Sequence, residues 1–149
     1  MDFELYTDDW FMREALKEAK VAFSKDEVPI GAVIVIENQI IARAYNQTEL
    51  LQDSTAHAEM LAFTTATNYL GAKYLNECTL YVTIEPCVMC AGAAFWTQIG
   101  RIVYGASDPK RGYSTLNKNI IQPKFGITSG ILAEECGKIV SDFFKMKRD

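Results

Sequence analysis

Histidine, proline and continuous apolar sequence are all scarce in this chain. Its 149 residues include one histidine and four prolines, and no stretch approaches the roughly 18 consecutive apolar residues that a membrane-spanning helix needs. The first residues, MDFELYTDDWF, are acidic and lack the positive start and apolar run of a secretory signal. A cytoplasmic protein with no membrane association is the expectation. There is no excess of positive charge either: the net charge is −4, so nothing draws the whole molecule toward nucleic acid or an anionic membrane. A polyanionic substrate would need a local basic patch. DPKRGYSTLNKN, QPKF and the terminal FFKMKRD are the candidates, all in the second half, although short charge runs of this kind also serve simply as solvated faces. Cysteine is sparse as well. The four fall at 78, 87, 90 and 136, and in a reducing compartment an even count does not imply disulfides.

The remaining composition, 49% hydrophobic and 23% charged with nine glycines, is that of an ordered globular protein without a long linker. A chain of this length fits one domain, residues 1–149, burying roughly two thirds of the surface its unfolded form exposes. Residues 8–24 carry Phe11, Ala15, Ala19, Ala22 and Phe23 at helical spacing, with Thr7 or Asp8 as cap. VPIGAVIVIENQIIARAYN gives two strands, about 31–37 and 40–45, in a hairpin turning at Asn38 and Gln39. A second helix is expected over 56–69, a buried strand over 79–84, a short helix beginning at the cysteines after Pro86, and a strand at RIVYGA. A polar stretch of about twenty residues follows Asp108, long enough to imply a task or a partner. GILAEECGKIVSDFFKMKR then reads as a last helix with Leu132, Cys136, Ile139, Val140 and Phe143 or Phe144 inward. Helices alternate with strands and one hairpin is present, which predicts an α/β protein with a mixed sheet covered by helices on both faces.

The close pair Cys87 and Cys90 is the spacing that asks for chemistry. Two residues between the sulfurs let both reach one ion, and a helix starting there lowers the cost of holding them as thiolates. Two ligands do not make a zinc site, and there is no second CxxC and no second histidine. His57 is the plausible third ligand, which leaves a fourth position open, the arrangement hydrolytic zinc sites use to activate water. Glu59 lies two residues on, about 200° around an ideal helix, so the two are not a same-face ligand pair. At an irregular first turn, however, His57 can reach the metal while the longer Glu59 side chain passes beside the water. Partly desolvated, that carboxylate would have raised proton affinity and could carry protons. A lone histidine can be a satisfied structural residue and a lone CxxC can be redox-active or inert, but a thioredoxin-like role leaves His57 and Glu59 unexplained. The order H-A-E followed by P-C-V-M-C matches the zinc-deaminase signature.

Through EVPIGAVIV, YN, TAHAEMLAF, LYVTIEPCVMCAGA, RIVYGASD and GILAEECGKIVSDFFKMKR, from about Trp10 to Arg148, the sequence resembles the bacterial tRNA-specific adenosine deaminases of the cytidine-deaminase-like superfamily. That resemblance implies a three-layer α/β/α fold and hydrolytic conversion of the wobble adenosine of an arginine tRNA anticodon loop to inosine. It implies Zn2+ on His57, Cys87 and Cys90, and Glu59 as the catalytic proton carrier. It places Asn46 against base and ribose, with Ile30, Ile84 and the backbone near Pro29 and Ala58 around the flipped base. Asp108 would meet the ribose and backbone of the loop, and Lys110 and Arg111 after it suit phosphates. In the last helix Phe144, Lys147 and Arg148 would close over flanking nucleotides. A homodimer is implied too, and the apolar segment AGAAFWTQI could face the neighbour. The alternative is a deaminase of guanine or another small base: Phe95 and Trp96 resemble the YW of bacterial guanine deaminases, which share the zinc site but take a free base.

Overall fold

A computed structural model describes residues 4–148. Five strands, β1 (Gly31–Ile36), β2 (Gln39–Tyr45), β3 (Thr79–Ile84), β4 (Arg101–Ala106) and β5 (Ile127–Thr128), form one sheet in the order β2-β1-β3-β4-β5. The pair β1–β2 and the pair β1–β3 are antiparallel, while β3, β4 and β5 run parallel. The helices are α1 (Asp8–Ser24), α2 (Ala58–Leu70), α3 (Val88–Thr97) and α4 (Ala133–Arg148). Successive residues of a strand point to opposite faces, and the two cores follow that alternation. Ala32, Ile34, Leu80, Val82 and Ile102 pack with Ala58, Ala62, Ala66, Ala91 and Ala94 of α2 and α3. Val33, Val35, Tyr81 and Val103 pack with Phe11, Met12, Ala15 and Leu16 of α1 and Cys136 of α4. The result is the three-layer α/β/α arrangement with a mixed central sheet. Strands covered on both sides read as unbroken apolar runs, which is why TLYVTI and RIVYGA stand out in the sequence.

Local chemistry sets the element ends. Thr7 Oγ1 accepts from the Trp10 N–H at 3.2 Å and starts α1. The helix then lies so close to the sheet that a Cβ at residue 31 would collide with the backbone of Ala15 and Ala19; Gly31 is what permits the approach. The hairpin turn falls one residue earlier than its composition predicts. Glu37 and Asn38 both take positive φ, 48° and 63°, and Ile36 pairs with Gln39 across a two-residue loop whose twist suits the strands. Helix α2 begins at Ala58 rather than at residue 56, because Asp53 Oδ1 accepts from both the N–H and the hydroxyl of Thr55 and holds that segment in a turn. The stretch after Asp108 contains a single 3-10 turn, Tyr113–Thr115, and the two-residue strand β5, which sequence reading misses. Helix α4 begins at Ala133 and buries Cys136 and Phe143, leaving Phe144 exposed.

The start of α1 is tied to the far end of the sheet by a half-buried network. Arg101 donates to both oxygens of Asp8 at 2.8 Å and to Thr128 Oγ1 at 2.9 Å, and the Tyr81 hydroxyl donates to Asp8 Oδ1 at 2.8 Å. The Arg101 guanidinium holds the Asp8 carboxyl below its ordinary value of 3.8. A depressed carboxyl contributes stability that is present above the unfolded pKa and lost as pH falls through the folded one. Urea titrations of wild type and Asp8→Asn should therefore differ by a constant amount, about 1–2 kcal/mol, from neutral pH down to about 5. The difference should shrink below about pH 4. A gap that stays constant into that acid range would mean the ion pair does not carry it.

Candidate active site

Helices α2 and α3 both begin at one end of the sheet, where β3 and β4 finish, and their caps are the chemistry-bearing residues. His57 is the cap of α2 and Cys87 the cap of α3, each with extended backbone (ψ 153° and 175°) and neither using its side chain to cap its own helix. Pro86 ends the strand so that Cys87 and Cys90 occupy the first turn of α3, where free backbone N–H groups favour thiolate. His57 Nδ1 lies 3.6 Å from Cys87 Sγ and 3.6 Å from Cys90 Sγ. Donor atoms of the three residues all fall within 4.8 Å of one another.

This geometry fits zinc. Bonds of about 2.3 Å to sulfur and about 2.0–2.1 Å to nitrogen at a tetrahedral angle put nitrogen and sulfur about 3.6 Å apart. Among the described residues this is the one group of three or more histidine, cysteine or acidic side chains gathered closely enough to hold a metal. Cys87 is lowered to about 4, first by the hydrogen bond from the Cys90 thiol and then, against burial, by His57. Cys90 is raised by the bond it gives to Cys87 and by burial. His57 is raised, chiefly by Cys87, and the Ser54 backbone also accepts from its ring, an outer contact that orients the imidazole.

Glu59 lies one residue into α2 with its carboxyl buried beside Cys90. Burial raises it to about 7 from an ordinary 4.5, the Cys87 thiolate adds to that rise and His57 opposes it. A carboxyl poised near neutrality can both take up and release a proton. His57 stands outside the helix as its cap with extended backbone, and Glu59 lies in the first turn.

The remaining sequence-predicted residues divide into two groups. Asn46 is buried just beyond β2, its N–H donating to the Ile30 carbonyl at 3.1 Å, and Ala58 is buried at the first position of α2. Ile30 and Ile84, half-buried, precede β1 and end β3, so all four sit at the sheet end that carries the metal trio. Asp108 is occupied locally: Oδ1 accepts from the N–H groups of Lys110 and Arg111 at 3.1 and 3.0 Å, leaving those two side chains exposed. The last turn of α4 packs on the end of α1 instead of on the trio. Phe143 meets Phe23 edge-on, Lys147 pairs with Asp26 at 2.5 Å and lies over the Phe143 ring, and Phe144 and Arg148 are exposed. Cys78 and Cys136 are buried free thiols in the two cores.

Sequence reading misses two buried carboxylates that flank this site. Glu27, 1% exposed, accepts from the N–H groups of Glu49 and Leu50 at 3.1 and 2.6 Å and anchors the segment between Asn46 and His57. Glu85, 5% exposed, accepts from the Asp108 N–H and from both N–H and hydroxyl of Ser114. The available signal is a glutamate one or two residues ahead of a proline at the edge of an apolar strand, EVP and EPC.

Residues 6–148 match the MafB19-like deaminase family. The tRNA-specific adenosine deaminase of Bacillus subtilis (strain 168) is 50% identical over 146 residues, spanning 95% of this chain and 91% of that protein. That of Aquifex aeolicus (strain VF5) is 42% identical over 151 residues, with 95% and 96% covered. A solved structure from work on A-to-I editing by tRNA:A34 deaminases superposes with a TM-score of 0.80 at 42% identity, covering 87% of this chain and 97% of that one. Guanine deaminase from Bacillus subtilis superposes with a TM-score of 0.64 at 35% identity over 76% of each chain.

Proposed function

This chain belongs to the tRNA-specific adenosine deaminases, and from that premise we infer that it converts the wobble adenosine of a tRNA anticodon loop to inosine by zinc-dependent hydrolysis. The observation that carries the chemistry is a three-donor cluster of zinc dimensions with a buried carboxyl beside it. The identity of 50% over nearly the whole chain carries the choice of substrate over free guanine. One deaminase domain, residues 1–149, accounts for both.

Zinc on His57, Cys87 and Cys90, when bound, supplies the Lewis acidity that lets water act as a nucleophile near neutral pH. Glu59 takes a proton from the attacking water and delivers it to the adenine ring nitrogen, then takes the proton of the hydroxyl now on C6 and delivers it to the departing amine, so that adenosine and water become inosine and ammonia. The Asn46 amide offers a donor and an acceptor to the purine edge and ribose. Ile30 and Ile84 give the flipped base apolar walls, with Ala58 at the helix start. A base in an anticodon loop leaves its stack at low cost, which favours such a loop over duplex.

An arginine tRNA is the expected partner, read through Asp108, Lys110 and Arg111 on one side and Phe144, Lys147 and Arg148 on the other. Homodimer formation is supported by α3, whose outer face leaves Phe95 and Trp96 56% and 75% exposed beside a cleft of 340 Å³ that Ile121 and Pro123 help to line. Large apolar side chains grouped in this way mark an interaction surface. A cytoplasmic location fits a chain in which no described helix is long and apolar enough to cross a membrane.

The test is mass spectrometry of the zinc-loaded protein incubated with an arginine tRNA anticodon stem-loop and, in parallel, with free guanine, cytosine and cytidine. Inosine at the wobble position with unchanged free bases is the expected result. Xanthine with intact RNA would keep the metal chemistry and overturn the substrate.

A further inference from the structure

The segment from Asp108 to Ser114 exposes two adjacent cations, Lys110 and Arg111, buries Gly112 and Tyr113, and is built as a closed ring. Asp108 Oδ1 holds the N–H groups of Lys110 and Arg111, and the Asp108 carbonyl accepts from the Gly112 N–H at 2.9 Å. Both ends of the ring rest on one buried side chain. Glu85 Oε1 accepts from the Asp108 N–H at 3.1 Å, and Oε2 accepts from the Ser114 N–H at 3.0 Å and the Ser114 hydroxyl at 2.6 Å. A Cβ at residue 112 would collide with the Glu85 carboxyl carbon and both oxygens, so the loop lies directly on the carboxylate, an approach only glycine allows. The same glutamate is joined through one residue, Pro86, to Cys87. Its N–H donates to Ala106, the Tyr113 N–H donates to Pro86, and Gly112 and Cys87 form a β-bridge.

Three hydrogen bonds converging on one side chain at 5% exposure exceed what a surface loop needs to stay closed. They fix where Lys110 and Arg111 stand relative to the metal ligand next door. We propose that Glu85 is a positioning residue for RNA: it locks the 108–114 loop against the start of α3 so that Lys110 and Arg111 meet phosphates flanking the base held at the metal centre. This rests on the tRNA reading above. Glu85 does not touch substrate, because the loop itself covers its oxygens.

Glu85→Gln keeps size and shape but turns one acceptor into a donor facing an N–H group. In the zinc-loaded full chain it should accelerate amide hydrogen exchange across 107–115 and leave exchange in α3 and zinc content unchanged. Affinity for the anticodon stem-loop should fall about tenfold, with kcat at saturating RNA changing less. The plot of log affinity against log salt should become shallower by about one to two, one for each phosphate that a displaced cation no longer neutralises. Lys110→Ala with Arg111→Ala should give the same loss, and adding Glu85→Gln to that pair should cost nothing more. Ser114→Ala, which removes one of the three donors and spares Glu85, should show the same pattern at about two- to threefold, and serves if the glutamine variant does not fold. Zinc loss in Glu85→Gln, or an unaltered affinity and salt slope in both variants, overturns the proposal. Wild type that makes no inosine from the stem-loop overturns the tRNA reading instead, and the exchange result separates the two failures.

Discussion

Glu59→Gln should yield a folded protein that carries zinc and binds the anticodon stem-loop but deaminates it ~10²–10⁴-fold more slowly. Glutamine matches glutamate in volume, which matters for a side chain that is 4% exposed. It cannot accept a proton, however. The wild-type carboxyl stands at about 7 because it is buried, which gives it comparable tendencies to take a proton from water and to surrender one to the purine. Both halves of that shuttle disappear together, so the loss should fall on kcat, with the dissociation constant for RNA changed little. Quench-flow measurement of inosine at saturating RNA, with zinc assayed in the same preparation, decides the matter. A variant within tenfold of wild type, or one that has lost its zinc, removes Glu59 from the role of proton carrier.

The parts of this molecule legible in its sequence are those whose causes are local or periodic. Helix α1 starts and stops where Thr7 and its alanine stripe place it, and β3 and β4 coincide with their apolar runs because both faces are covered. The metal trio is legible because CxxC at a helix start and a single histidine leave few other ways to gather donors. What is not legible depends on partners far along the chain. Glu27 and Glu85 bind backbone N–H groups more than twenty residues away, and a backbone partner leaves no mark in residue type. Strand β5 is two residues held only by its neighbour, flanked by Gly126 and Gly130 with positive φ, so neither length nor alternation announces it. Asp108 shows a third kind of limit. Its residue type permits a contact to ribose, but nothing in its type shows that its Oδ1 is engaged by the N–H groups of Lys110 and Arg111 in its own loop.

The second large effect concerns how far fold and metal depend on each other. Zinc would join the starts of α2 and α3, yet behind that joint the two helices meet the sheet through Ala58, Ala62, Ala66, Ala91 and Ala94, packed on Ile34, Leu80, Val82 and Ile102. The opposite layer, formed by α1 and α4, has its own core and contributes no ligand. The metal should therefore add stability to a molecule that already folds, by an amount set by binding, of order 4 kcal/mol when free zinc exceeds its dissociation constant a thousandfold. Cys87→Ala should bind less than a tenth as much zinc as wild type and lose all measurable deamination, while keeping wild-type far-UV circular dichroism at 25 °C. Cys87 is half-buried at the helix cap, so its removal leaves little cavity, and the variant should melt within about 3 °C of wild type stripped by chelator, a gap of about 1 kcal/mol for a chain of this size. Adding zinc back should raise the melting point of the stripped wild type and leave that of the variant unmoved. Loss of helical signal in the stripped protein would show instead that the alanine-lined core cannot stand without its joint, and that the metal is as much a folding element as a catalytic one.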